Sequence, residues 1–513
     1  MLVLLTVLAV VLFVALRSPL KDDIAWLLYV ARRWMAGREL YVDLIEINPP
    51  MIVWISVIPL TVSRWLGVSP QFVAMPGFVA LVLGCSWWSA CLLRAQGRAS
   101  GGLFAARAPV FAVIGSVLLL IPAADLGQRE HLLVAAFLPY LILFARTLDG
   151  TRPPVTASVA AGVLASLGCA LKPQYGLAFA ALELVALRYR VWPWRVAPLA
   201  AGITLAGYIA LVAFLCPAYL RRAVPLALAL YGATDVSFLT LLGDSAALLA
   251  AEGLALFLWW RHRHDLPQRH LLLTGVVFAI TSSVICFIDG KDWFYHRLPA
   301  TVVTVLVLIL WSAAIIRDRL IDRPAGMSRI PRRGLAVAVI AVLLFGLSAA
   351  RRLEAEMQQA VEPKQTTVAR LEALIRREHA RTYIAFSEWI ALGFPVVNNT
   401  GVAWASRFDS MWALKGELWR ARFDPGTAKE WPVARWVTHD FIAGCPDIAV
   451  VDTREKTNYI TILSASEPAF ARAWSRYRQI AAFDGLTIYR RGKGGCVDPW
   501  VAAEALPPAV AVR

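Results

Sequence analysis

The residues best suited to chemistry lie in one segment near the N-terminus and in three short turns far along the chain. The segment from Lys21 to Ile55 carries an acidic pair, Asp22 and Asp23, then Asp43 and Glu46, then Pro49 and Pro50. A carboxylate held at a surface can take a proton from a hydroxyl as a general base. At the head of a helix the same acid can instead serve as a cap and favour the dipole. The three turns are Gln128-Arg129-Glu130-His131, Lys172-Pro173-Gln174-Tyr175, and Lys291-Asp292-Trp293-Phe294-Tyr295-His296-Arg297. Each offers a cation, and cations are what phosphate recognition requires: Arg as a bidentate fork, Lys as a point charge. Interfacial snorkelling and carboxylate pairing would use the same residues without any ligand.

The elements that must position these groups are membrane elements. The chain has 513 residues, 59% of them hydrophobic and only 17% charged, where a soluble domain carries about 25% charge. The apolar residues form runs near bilayer length, flanked by Trp87, Trp88, Trp192, Trp194, Trp259 and Trp260, as at membrane interfaces. Spans are expected near 2–16, 70–93, 108–124, 131–145, 154–171, 176–187, 196–216, 240–260, 271–289, 298–316 and 334–350. The first reads as a retained span, since no basic n-region precedes it and no clear cleavage site follows it. Residues 51–66 are apolar but contain Pro59 and Arg64, and are expected to lie in the interface or dip into it.

With the N-terminus cytoplasmic, Lys and Arg are more than twice as dense in the inner loops as in the outer ones, as the positive-inside rule asks. That orientation puts the acidic segment and all three cationic turns on the non-cytoplasmic face. It also accounts for the net charge of +16 without nucleic acid, for which no basic stripe or motif is present.

Within the first outer loop, Ile24, Leu27, Leu28, Ala31 and Met35 fall on one helical face. They predict an amphipathic helix on the outer membrane surface, begun by Asp22 and Asp23 and stopped by Gly37. After residue 350 the composition becomes that of a soluble α/β domain, with strands at 381–387, 447–452 and 486–490 and helices at 368–379 and 469–478. Its two cysteines, Cys445 and Cys496, are expected to pair in an oxidising compartment. Cys85, Cys91, Cys169, Cys216 and Cys286 read as small residues in or beside spans. Glu183 is expected to reach the interface or pair with Arg188, and the mid-span Glu252 has no assigned role. The whole reads as an α-helical polytopic membrane protein of about eleven spans (1–350, with an outer loop at 17–69) and an extracytoplasmic α/β domain (351–513).

An acidic pair just after the first span, an interfacial helix, Gly37, Tyr41 and the Pro49-Pro50-hydrophobic entry together resemble the GT-C glycosyltransferases. The protein-mannosyltransferase and lipid A aminoarabinose-transferase branch is the most similar. The resemblance covers about 35 residues closely. It implies a sugar donor carried on a polyprenyl phosphate, an active site lined by the acids of this loop, and a bacterial plasma-membrane enzyme. Carried over, it makes Asp22, Asp23 and Asp43 the catalytic candidates. Relatives often have Asp-Glu where this chain has Asp22-Asp23, and some place a basic residue where Asn48 stands, so the cation meeting the donor phosphate is left open.

Arg129, Lys172, Lys291 and Arg297 are the candidates for that phosphate, and Glu46, His131, Tyr295 and His296 for further substrate contacts. The two histidines give only weak support to a divalent metal, and no CxxC or Cys/His metal spacing occurs. The acceptor would be a lipid, a glycan or a protein. A transporter or flippase would instead show repeated halves, broken spans and mid-membrane polar residues, and a non-catalytic membrane scaffold would use its C-terminal domain to bind a partner.

Overall fold

The computed structural model describes residues 1–95, 102–191, 195–320 and 332–492. Trp192, Trp194, Asp322 and Cys496 lie outside the described residues. The chain packs as two compact units. One comprises residues 1–18, 48–214 and 236–360, and the other 19–47, 215–235 and 361–513. Packing therefore divides the chain differently from a linear cut at residue 350: the second unit also recruits the acidic loop and the segment 215–235.

As far as residue 361 the α-helices in chain order are α1 (Leu2–Arg17), α2 (Asp22–Met35), α3 (Pro50–Leu66), α4 (Gln71–Ala95), α5 (Arg107–Leu120), α6 (Arg129–Leu148), α7 (Val155–Leu171), α8 (Gly176–Arg188), α9 (Val196–Leu215), α10 (Val224–Leu230), α11 (Phe238–His262), α12 (Arg269–Asp289), α13 (Phe294–Leu320) and α14 (Arg332–Val361). Each of the eleven expected spans is a helix. Seven of them (α4, α6, α9, α11, α12, α13 and α14) are long and apolar enough to cross a membrane, or eight if α1 and α2, bent by 60°, form one broken span. Helices α3, α5 and α7 are apolar but shorter.

In the first unit α6 is the central element, packed against α4, α7, α12 and α13, and every residue from Arg129 to Ala145 is buried. Small residues allow the close approaches that membrane helices favour. A Cβ at Gly162 would lie 2.4 Å from the Ala197 carbonyl oxygen, and one at Gly168 would lie 3.2 Å from Ala136 Cβ. Glu252 on α11 accepts a hydrogen bond from Ser283 Oγ at 2.7 Å. Glu183 pairs with Arg195 rather than with Arg188.

The second unit is built on a five-stranded sheet, ordered β2-β1-β3-β5-β4, of β1 (Thr382–Phe386), β2 (Ala403–Trp404), β3 (Ile448–Asp452), β4 (Tyr477–Phe483) and β5 (Leu486–Arg491). β1 runs parallel to β2 and to β3, while β5 is antiparallel to both β3 and β4. β3 reads IAVVD and is buried throughout, as expected of a strand covered on both faces. The β4–β5 hairpin turns at Asp484-Gly485, both with positive φ, the Asp-Gly pair that a tight hairpin turn selects.

The helix expected over 469–478 stops at Trp474. Tyr477 and the residues after it pair with β5 instead, a tertiary contact overriding local propensity.

Helix α2 differs from its expected form. Eight consecutive residues, Ile24 to Ala31, are buried, whereas Met35 is exposed. The reason is packing on more than one side. The Trp26 and Tyr29 rings lie 4.9 and 5.0 Å from Phe394, and Asn398 Nδ2 donates to the Ala25 carbonyl at 2.8 Å. α2 is thus a core helix of the second unit rather than a helix with one apolar stripe.

Candidate functional site

In the first unit the three cationic turns meet. α7 ends at Leu171 and hands the chain to a short 3-10 turn at Pro173–Tyr175. α12 ends on Gly290, whose left-handed conformation (φ 68°) suits a residue without Cβ and reverses the chain toward Lys291 and His296. The head of α6 supplies Arg129, Glu130 and His131.

Lys172 Nζ lies 2.8 Å from Glu130 Oε1, and Glu130 is 1% exposed. His296 Nδ1 lies 3.0 Å from Asp289 Oδ2, and Gln174 Nε2 donates to both oxygens of Asp289 at 3.1 Å. Arg129 and His296 are near enough to act on Glu130 electrostatically. Arg129, Lys291 and His296 are all buried. Trp293, Tyr295 and His296 cluster, with the Tyr295 ring centroid 5.8 Å from Trp293 and 4.6 Å from His296, and Trp293 and His296 5.9 Å apart.

A group of buried cations balanced by two carboxylates can receive a dianionic phosphate by exchanging partners, since charge-assisted hydrogen bonds to phosphate replace those to carboxylate.

Two candidates are engaged otherwise. His131 accepts from the Gly127 amide at Nδ1 (3.0 Å), and its Nε2 faces the Leu118 carbonyl at 2.8 Å. Both ring nitrogens are thereby used, one on the turn at 122–128 and one on the last turn of α5. Arg297 donates to the Asp244 carbonyl and, at 2.8 Å, to the Asp292 carbonyl, tying α13 to α11. Sequence reading passed over Arg352, whose guanidinium sits 3.5 Å over the Phe294 ring and donates to the Ile121 carbonyl at 2.8 Å. It lies two residues past the point where the apolar run of α14 ends, where hydropathy marks a boundary rather than a site.

In the second unit Asp22 and Asp23 stand in the first turn of α2. Its N-cap is Lys21, with no side-chain capping bond. Asp22 Oδ1 accepts from the Asp23 amide at 2.9 Å, and Lys21 Nζ is 3.7 Å from it.

The loop that follows is tightly built. Tyr41 is fully buried with φ 69°, a strained conformation for a non-glycine residue, and its amide donates to the Leu44 carbonyl at 2.9 Å. Asp43 is exposed and accepts from the Glu39 amide at 3.0 Å, closing this turn. The Ile45 amide donates to the Arg407 carbonyl at 2.8 Å. Glu46 is buried and accepts from Trp26 Nε1 at 2.5 Å.

One acid of this group was not evident from sequence. Asp409 accepts from Trp412 Nε1 at 2.9 Å. Burial, and then the charges of Glu46 and Asp23, push its carboxyl up to about 8. It is therefore largely protonated at neutral pH and is a hydrogen-bond donor rather than a base. No motif flags Asp409, because its neighbours Asp23 and Glu46 are more than 350 residues away in sequence.

Cys445 is disulfide-bonded, and the five cysteines expected in or beside spans are free. Among the described residues no group of three or more His, Cys, Asp or Glu could hold a metal ion.

No family model matches the chain, and no curated protein matches it. Among solved structures it is similar to the crystal structure of ArnT from Cupriavidus metallidurans bound to undecaprenyl phosphate. The two are 15% identical, the likeness covers 95% of this chain and 97% of that one, and the TM-score is 0.47.

Proposed function

We propose that the chain is a membrane glycosyltransferase that moves a sugar from a polyprenyl-phosphate donor to an acceptor on the non-cytoplasmic side of a bacterial plasma membrane. The observation that carries this reading is the convergence of Lys172, Arg129 and His296 on Glu130 and Asp289 at one end of an apolar helical unit. A phosphate on a hydrocarbon tail is the ligand whose two parts match those two environments.

In the reaction an acceptor hydroxyl attacks the anomeric carbon, the bond from that carbon to the phosphate oxygen breaks, and the lipid phosphate leaves with the bonding electrons. Lys172 and Arg129 neutralise its growing charge. The acceptor proton goes to a carboxylate of the acidic loop, with Asp23 or Asp22 as the base. Glu46, fixed by Trp26, orients the acceptor, and protonated Asp409 donates a hydrogen bond without adding a third charge beside Asp23 and Glu46. Asp43 holds the loop in shape. Tyr295 and His296, stacked on one another, contact the donor.

The test uses the full chain in lipid nanodiscs with an undecaprenyl-phosphate-linked radiolabelled sugar and a membrane-glycolipid acceptor fraction. Label is expected to move to the acceptor with release of undecaprenyl phosphate. A protein that instead carries solute or lipid across sealed vesicles, and transfers no sugar, would be a transporter and would overturn the reading.

A further inference from the structure

The cluster around Lys172 and Glu130 occupies one end of the first unit, and the other end holds a cavity of about 240 Å³ between α4, α5, α6, α12 and α13. On α6 the cavity begins at Leu138, nine residues beyond Arg129, which is about 14 Å at 1.5 Å per residue. On α12 it is lined by Leu271 and Gly275, at the end opposite to Asp289. Its walls are aliphatic apart from Phe104, and Ser89 is the one hydroxyl among its described lining residues. Ser89 is fully buried, and its Oγ has no hydrogen-bond partner.

Three arginines mark one side of this cavity. Arg94 follows the lining residue Leu93 on α4, and Arg107 opens α5 two residues before the lining residue Pro109. Arg317 stands four residues beyond Ala313 on α13, with its guanidinium packed at Gly102: a Cβ there would lie 3.0 Å from it.

We infer that the cavity takes one acyl chain of an anionic bilayer phospholipid, with the lipid phosphate held among Arg94, Arg107 and Arg317. A cavity of this size with apolar walls accepts hydrocarbon rather than water, and basic pockets between membrane helices recognise anionic headgroups. Ser89 lies five residues, about 7 Å of helix, inside Arg94. That depth suits an ester carbonyl just below the phosphate, which would accept the hydrogen bond its Oγ now lacks. The site is separate from the donor-phosphate cluster and does not depend on sugar transfer.

Native mass spectrometry of the full chain in mild detergent tests the inference. One phospholipid should remain bound, phosphatidylglycerol should outcompete phosphatidylethanolamine at least tenfold, and Val110→Trp, which fills the cavity, should remove it. The paired variant Arg107→Gln with Arg317→Gln should lose the preference for negative charge. Delipidated wild-type protein gives a second readout, independent of whether the variants fold. Phosphatidylglycerol should raise its Tm, and the same concentration of inorganic phosphate should not. A retained polyprenyl phosphate in place of phospholipid, equal retention of phosphatidylethanolamine, no bound lipid, or lipid kept by Val110→Trp would each overturn the assignment.

Discussion

Replacing Lys172 with Met should do two separable things. Lys172 Nζ sits 2.8 Å from the nearly inaccessible Glu130 carboxylate, so its loss strands a buried charge. Breaking a buried pair by removing one partner costs about 3–5 kcal/mol. Arg129 and His296 also act on Glu130, which places the expected loss near the lower figure, at about 3 kcal/mol. Adding Glu130→Gln removes the stranded charge and should return most of that stability.

The assay is thermal unfolding of the purified variants in one detergent, alongside steady-state transfer kinetics. The double variant should fold like wild type yet show KM for the lipid-phosphate donor raised at least tenfold, the order expected for losing a hydrogen bond to a charged group, with acceptor KM unchanged. A single Lys172→Met variant as stable as wild type would refute the reasoning about the pair. A double variant with unaltered donor KM would refute the role in phosphate binding.

Three further outcomes are expected elsewhere in the chain. Asp409 has a folded pKa of about 8 against about 3.9 unfolded. Its contribution to stability is thus fully present below about pH 4 and lost as pH rises through about 8. The wild-type Tm should fall more steeply between pH 6 and pH 9 than that of Asp409→Asn, and parallel curves would contradict this. Non-reducing electrophoresis should show a mobility shift that either Cys445→Ala or Cys496→Ala abolishes; two fully alkylatable thiols at these positions would show that they are unpaired. Periplasmic-type reporter fusions should be active near Lys21, near Asp292 and after Arg351, and cytoplasmic-type fusions near His264 and Arg329; a cytoplasmic reporter active at residue 400 would invert the topology.

Local pattern made much of this molecule legible. The helices were marked by apolar runs, and β1, β3 and β5 by short β-rich segments between turns, because both signals are contiguous in sequence. The sequence also placed a cation in each turn at 129, 172 and 291, but not the Lys172–Glu130 and His296–Asp289 pairs, which form only when α6, α7, α12 and α13 pack. The burial of α2 on several sides was hidden for the same kind of reason. Its apolar stripe is real, but Trp26 and Tyr29 on the remaining surface are covered by Phe394, more than 360 residues downstream. Asp409 was least legible of all, since its environment comes from Glu46 and Asp23 and its own neighbours in sequence say nothing about it.

If the acidic pair performs chemistry, removing its charge must cost rate rather than fold. Asp22 Oδ1 accepts from the Asp23 amide in the first turn of α2, and Asn keeps that oxygen, so Asp22→Asn removes charge without removing the acceptor. The loss from the helix dipole alone is about 0.3–1 kcal/mol. A general base is worth roughly 10²- to 10⁴-fold in rate. The decisive measurement is therefore kcat for sugar transfer by Asp22→Asn and Asp23→Asn, each with Tm recorded on the same preparation. At least one variant is expected to keep a near-normal Tm and lose at least about a hundredfold in kcat. Near-normal transfer by both would contradict it and leave the pair as no more than the start of a helix.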